Sequence, residues 1–241
     1  MRLFQTVFTV FLLGAVSSIA VLALIFSAAA TATNLQVKVL DAQQQPLAGA
    51  VVSIPAGVDL PTTTNSADNL LTAETYVMDQ VDKLFVPFIL VVAKGRQVVF
   101  PNRDNIRHQV FSFSPTKPFE LPLYSNREQP LVRFEQAGVV VLGCNIHDHM
   151  KAYIYISPHQ YSAQTDAQGQ VTVPAGSTQL AVWYPGQENT VTDTLVTVRS
   201  GQTELVVQLP VSKQQQQPPP LSPLQQKFNQ RKQQTLMSEQ H

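Results

Sequence analysis

The chain has 241 residues, 44% of them hydrophobic, with 16 basic residues set against 16 acidic ones. That length and hydrophobic content allow one large or two small domains with buried cores and exclude a chain disordered throughout. The charge balance excludes a bulk electrostatic attraction to nucleic acid, and neither half of the chain is strongly polarised.

Residues 1–32 read as a secretory signal peptide. Arg2 is the one charged side chain ahead of an apolar run from Val7 to Phe26, and small residues follow from Ser27 to Ala32. Small-x-small cleavage sites at Ala28 to Ala30 and Ala30 to Ala32 would start the mature chain near Thr31 or Thr33. The alternative is an uncleaved anchor, because about 18 apolar residues suffice to span a bilayer; residues 7–26 would then hold the protein at a membrane. Both readings put the rest of the chain outside the cytoplasm, in the periplasm or otherwise exported.

Beyond Asn34 the pattern is that of strands. From Leu35 to Leu40 and from Ala50 to Ile54, β-branched and polar residues alternate about a turn containing Pro46 and Gly49. Residues 55–74, rich in Thr, Asn, Pro and Asp without a period, read as a linker. Strands are expected at Val86 to Val92 and Gln97 to Phe100 about a turn at Lys94-Gly95, and again at His108 to Phe113. Pro115 to Arg127 reads as irregular, and Leu131 to Phe134 as a short strand. Val139 to Leu142 is an apolar run suited to burial on both faces, with Ala152 to Ile156 as its returning partner. No sustained helical stripe interrupts this before Pro210, apart from a weak one at Ala67 to Met78. The expected fold class is therefore all-β, built as sandwiches.

Between the last two of those strands lies Cys144-Asn145-Ile146-His147-Asp148-His149-Met150, which gathers a thiol, two imidazoles and a thioether, all soft metal ligands. Cys144 is the only cysteine, so it closes no disulfide within the chain. A lone cysteine is ordinarily a small buried hydrophobe, but the spacing Cys-x2-His-x2-Met suits a loop joining adjacent strands and pointing Cys144, His147 and Met150 at one centre. His108, at the start of a strand beyond a polar loop, is the candidate for a fourth ligand. His149 is read as facing solvent or supporting the ligands from behind. Asn102 and Asp104 are read as turn residues that also pin the His108 loop through backbone hydrogen bonds. Met78 and Met237 fall outside any ligand pattern, His159 is expected at the surface, and His241 belongs to the tail.

Together with Phe85-Val86-Pro87 and Gly95, these residues resemble the cupredoxins, the plastocyanin-like carriers of a single copper, over Thr75 to Ser157. The short ligand loop is similar to that of amicyanin, and the whole chain resembles proteins labelled cupredoxin-type methylamine utilisation proteins. The resemblance implies a Greek-key β-sandwich over residues 75–157. It also implies one type 1 copper ion, held by His108, Cys144, His147 and, weakly, Met150, in a one-electron carrier that is not an enzyme and meets a redox protein as donor and another as acceptor. His149 departs from the family, which often has Pro or an aromatic residue there.

A second pattern follows Ser157. The turn, strand, turn run Thr165 to Gly176 and strands at Gln179 to Trp183, Thr194 to Val198 and Thr203 to Leu209 resemble the latter part of carboxypeptidase regulatory-like domains, with Leu35 to Ile54 as the early part. On that reading residues 34–54 and 161–210 form one small β-sandwich, and residues 75–157 are inserted between its second and third strands. The alternative is two sequential domains, in which Leu35 to Ile54 opens the cupredoxin. Residues 211–241, rich in Gln and Pro, are expected to be disordered or at most transiently helical.

Three functions are compatible with this: an exported electron carrier, a copper carrier or sequestering protein using the same residues, and an adhesion scaffold. A multicopper enzyme needs further His-rich motifs, which five histidines do not supply.

Overall fold

The computed structural model describes residues 34–57, 69–174, 176–187, 193–216 and 221–238; the signal reading and most of the linker reading fall on residues outside these. The fold is all-β. In chain order the strands are β1 (Leu35–Leu40), β2 (Val51–Ile54), β3 (Thr75–Val77), β4 (Asp79–Val81), β5 (Leu84–Val86), β6 (Ile89–Ala93), β7 (Gln97–Val99), β8 (His108–Ser112) and β9 (Phe119–Tyr124). They continue with β10 (Leu131–Arg133), β11 (Gly138–Gly143), β12 (Lys151–Ser157), β13 (Tyr161–Gln164), β14 (Gln170–Val173), β15 (Gln179–Trp183), β16 (Thr194–Thr197) and β17 (Glu204–Gln208), before the helix α1 (Pro223–Ser238). Among the described residues no helix is long and apolar enough to cross a membrane.

Strand pairing runs in two sets. β1 lies between β14 and β17, and β2 between β13 and β15, with β16 at the edge. Val37 stands opposite Val171 and Leu205, and Val51 opposite Gln164 and Trp183, so both early strands pair with strands that follow residue 160. The intervening residues build a five-stranded sheet, β6-β12-β11-β8-β9, and a three-stranded one, β10-β7-β3. Gly169 marks a tight point in the first set: its φ is +71°, and a Cβ there would sit 2.6 Å from the Val39 carbonyl oxygen, so only glycine fits the turn.

Two cores meet at β12. Its Ala152, Ile154 and Ile156 face Val92, Val98, Val140 and Leu142, while Tyr153 and Tyr155 face the other way, among Val51, Tyr161 and Trp183. Every residue from Ala152 to Ser157 is buried, a pattern that the alternation of two sheet faces produces when both are covered.

Four expectations are corrected. Pro115 to Arg127 is not irregular, because Phe119–Tyr124 forms β9; Pro122 hides the strand in the sequence, yet β9 is the sheet edge, where a missing N–H is tolerated. The expected strand Val86 to Val92 is divided into β5 and β6 on either side of Pro87. The weak helical stripe at Ala67 to Met78 becomes a 3-10 turn at Leu70–Thr72, capped by the Asn69 side chain, followed by β3. The tail is not disordered where it begins. Val211 is buried, the Gln214 carbonyl and Oε1 accept from the Tyr184 and Tyr153 hydroxyls, and Gln216 bonds the backbone of Phe85, while residues 223–238 are helical. Glutamine amides that read as solvating in the sequence here satisfy groups of the folded body.

Candidate metal centre

The β11–β12 register runs from Gly138 opposite Ile156 to Gly143 opposite Lys151, so the residues from Cys144 to Met150 are all connecting loop. The loop folds back on itself through the Met150 N–H, which donates to the His147 carbonyl at 2.9 Å. Cys144 and Met150 are 3% and 1% exposed, whereas His147 is half-buried and Ile146 lies open at 50%. Short spacing thus turns the two sulfur-bearing residues inward and leaves an imidazole near the surface.

His108 arrives from β8, which touches β11 at Phe111 opposite Gly143. A Cβ on Gly143 would lie 2.6 Å from Phe111 Cζ, so glycine at this position lets the ring rest against the base of the loop. Opposite His108 on β9 stands Tyr124, with a register shift before Val110. His108 is 0% exposed.

These elements bring His108, Cys144 and His147 together. Cys144 Sγ lies 4.0 Å from His108 Nδ1 and 3.9 Å from His147 Nδ1, and the three donor atoms are within 4.8 Å of one another. Metal–sulfur and metal–nitrogen bonds of about 2.3 and 2.1 Å bring such atoms about 3.6 Å apart at a tetrahedral angle and about 3.8 Å at a trigonal one, so the observed spacing fits a single ion. Met150 is buried on the same loop and borders the same cleft as Cys144, a hollow of about 510 Å³ that also has Phe111, Phe113, Val141 and Lys151 in its walls.

The second nitrogen of His108 is fixed. Its Nε2 is 2.7 Å from Asp104 Oδ2, so a proton held there leaves the Nδ1 lone pair aimed at Cys144. Burial disfavours charge on His108, but the neighbouring Cys144 sulfur and Asp104 carboxylate outweigh it and raise the imidazole above its ordinary value. Burial likewise pushes the Cys144 thiol up, and His108 with the N–H groups of Gln109, Ile146 and His147 overcomes this, so the thiol is lowered. His147 is lowered by burial and by the charges of His108, Lys83 and His149. The lowered thiol and the lowered His147 favour the thiolate and neutral imidazole that metal ligation requires, whereas the raised His108 gives up its proton when a metal binds.

Several supporting residues escaped the sequence reading. Asp82 and Lys83, both left-handed at φ 55° and 59°, form the β4–β5 turn and donate their N–H groups to Asp104 Oδ1 and Oδ2 at 2.8 and 2.9 Å. Asp104 therefore acts through its carboxylate on His108 itself, more directly than the backbone pinning expected. Asn102 does pin the loop, donating to the Ile106 and Tyr124 carbonyls and accepting from the Asp104 N–H. His149 does not face solvent freely; its Nε2 lies 3.0 Å from the Lys83 carbonyl, with its ring 5.9 Å from that of His147. His159, expected at the surface, has a side chain only 10% exposed and sits 2.8 Å from Asp193. A left-handed pair such as Asp82-Lys83 leaves no clear mark in a sequence, which is why the turn went unread.

A scan against protein-family models gives no match, and a search of curated proteins gives none. Among solved structures the chain is similar to an amicyanin mutant in its reduced Cu(I) form at pH 4, with 17% identity over 44% of this chain and 98% of that one and a TM-score of 0.33. It is similar to a second amicyanin mutant in a Cu(I) form, with 16% identity over 44% of this chain and 98% of that one and a TM-score of 0.33. It is also similar to a copper-containing nitrite reductase from Thermus scotoductus, with 23% identity over 49% of this chain and a TM-score of 0.34; the match spans 28% of the reductase's length.

Proposed function

We propose that the protein is an exported type 1 copper protein that carries one electron at a time between two redox partners. The observation that carries this reading is the approach of His108 Nδ1 and His147 Nδ1 to Cys144 Sγ at 4.0 and 3.9 Å. Three strong donors of mixed imidazole and thiolate character, with a buried methionine on the same loop, form the donor set that suits copper in both oxidation states. Bound copper would supply a one-electron couple. His108, Cys144 and His147 would hold it, with Met150 as the weak fourth ligand.

The chain's own contribution is to keep the site from rearranging. Asp104 fixes the orientation of the His108 ring, the Lys83 carbonyl holds His149 aside, and β11 and β12 anchor both ends of the ligand loop. His147, half-buried, would be the point at which an electron enters or leaves. The two pairing sets support residues 75–157 as a domain inserted in the sandwich formed by residues 34–54 and 161–210. No step of bond making is assigned to the protein.

Titration of the mature protein with Cu(II) tests the proposal. An intense visible thiolate-to-copper band, lost in Cys144→Ser and reversibly bleached by a one-electron reductant, is expected. A colourless site that releases copper readily would replace this reading with that of a copper carrier or sequestering protein, which the partial exposure of His147 also accommodates.

A further inference from the structure

The C-terminal segment after β17 runs back over the body and ends on the hairpin that braces the metal site. Its Gln214 N–H donates to the Tyr184 hydroxyl at 3.0 Å, and its Gln216 side chain clasps one residue from both sides. Gln216 Oε1 accepts from the Phe85 N–H at 3.0 Å, and Gln216 Nε2 donates to the Phe85 carbonyl. An amide side chain here does what a neighbouring strand does, pairing the N–H and C=O of a single residue.

Phe85 belongs to β5, opposite Gln80 on β4, and its ring is fully buried in the core that contains Cys144 and Met150. Two residues before it, Lys83 closes the turn that holds Asp104 through two N–H groups and His149 through its carbonyl. Asp104 in turn holds His108. A continuous line of hydrogen bonds and short backbone thus leads from Gln216 to His108 of the site and to His149 beside it.

We propose that Gln216 is a positioning residue of the metal site, acting through the β4–β5 hairpin, and that release of the 212–216 strap loosens the site. The inference rests on the copper reading given above. Val211 is still tied to the first set, its carbonyl accepting from the Ala42 N–H and its side chain buried in that core; residues 212–216 cross from there to β5, belong to no strand, and can detach without breaking a sheet. Among the described residues beyond 216, none takes part in this line.

The test uses the full chain, Gln216→Ala, Gln216→Glu, a chain ended after Gln216, and Cys144→Ser. Metal-free protein is treated with iodoacetamide to follow alkylation of Cys144, Cu(II) affinity is measured against a chelator, and amide exchange is followed at Lys83 and Phe85. In Gln216→Ala the alkylation rate and the copper dissociation constant should each rise by about threefold to tenfold, the range corresponding to the net worth of a hydrogen bond. Exchange at Lys83 should quicken with them, the visible spectrum of the copper form should shift, and the denaturant midpoint should fall by no more than the worth of the lost hydrogen bond. Gln216→Glu, which keeps the acceptor for the Phe85 N–H and loses the donor, should fall between wild type and Gln216→Ala. The chain ended after Gln216 should match wild type.

The proposal is overturned if Gln216→Ala alkylates and binds copper as wild type does, or if ending the chain after Gln216 alone reproduces the loosening. If Cys144→Ser binds copper as tightly as wild type, the copper reading fails by itself. Alkylation of the wild-type thiol and amide exchange in Gln216→Ala then still decide whether the strap braces the hairpin.

Discussion

His108 and Asp104 face each other at 2.7 Å through Nε2 and Oδ2, while the other imidazole nitrogen of His108 faces the Cys144 sulfur at 4.0 Å. One ring is thus held by a carboxylate on one side and offered to a cysteine sulfur on the other. Both His108 and Cys144 are buried, so this orientation does not depend on solvent. A metal-ligating histidine whose second nitrogen is held by a carboxylate is fixed in tautomer and direction, and loss of such a partner costs about 10–100-fold in metal affinity.

Asp104→Ala should therefore weaken copper binding by about 10–100-fold, measured by competition with a chelator. It removes the partner of His108 and also strands the N–H groups of Asp82 and Lys83. Asp104→Asn keeps an acceptor for part of that set and should lose less. Equal losses in the two variants would show that the carboxylate's charge, and not its hydrogen bonds, orients the ring.

Gly143→Ala tests the packing beneath the ligand loop. The added methyl would meet Phe111 Cζ at 2.6 Å and two further ring atoms at 3.1 Å. The ring is half-buried beside the cleft and can swing outward, so a cost of about 1–3 kcal/mol, the range for overpacking, is expected in denaturant unfolding. Gly143→Ala combined with Phe111→Leu should recover most of it. A double variant as unstable as the single one would place the strain elsewhere.

Much of this was legible in the chain and some was not, for reasons that individual residues make plain. Leu35–Leu40 and Gln179–Trp183 could be read because alternation or apolar continuity shows which sheet faces are covered. The cluster of His108, Cys144 and His147 could be read because Cys144 and His147 share one loop, and because a lone cysteine set among imidazoles has no disulfide partner within the chain. β9 could not be read, since Pro122 signals a break unless the strand is known to be an edge. Nor could the roles of Lys83 and Gln216, which act through a backbone carbonyl and a side-chain amide that reaches a residue far away in sequence. A composition rule sees Gln216 only as part of a solvated tail.

Trp183 should prove a joint of the whole body. It is 1% exposed, its ring lies 5.1 Å from that of Tyr155 and 6.2 Å from that of Tyr153, and those tyrosines sit on the strand leading away from the ligand loop. Trp183→Ala should cost about 3–5 kcal/mol, as large aromatic truncations in a core do. Since β12 is common to both cores, unfolding followed by circular dichroism and by Cys144 alkylation should give coincident transitions in the wild-type protein. Two separated transitions would mean that the strand-pairing sets unfold independently.

Tyr155 should set part of the alkaline limit of stability. Its hydroxyl donates to Asp193 Oδ1 at 2.7 Å, and Asp193 Oδ2 lies 2.8 Å from His159 Nε2. Burial first, and then the Asp193 carboxylate, push the phenol above its ordinary value. Below about pH 10, the ordinary phenol value, folded and unfolded chains both keep the proton, and the contribution is fully present. Above that pH the unfolded chain loses its proton first, so stability falls as pH rises toward the folded value, by about 1.4 kcal/mol per pH unit for a single group. Tyr155→Phe should remove that share of the slope while costing about 1 kcal/mol at neutral pH through the lost hydrogen bond. Urea unfolding at pH 9 and pH 11 measures both effects, and an unchanged slope in Tyr155→Phe would assign the alkaline limit to the other buried tyrosines, Tyr76, Tyr124 and Tyr184, which are raised as well.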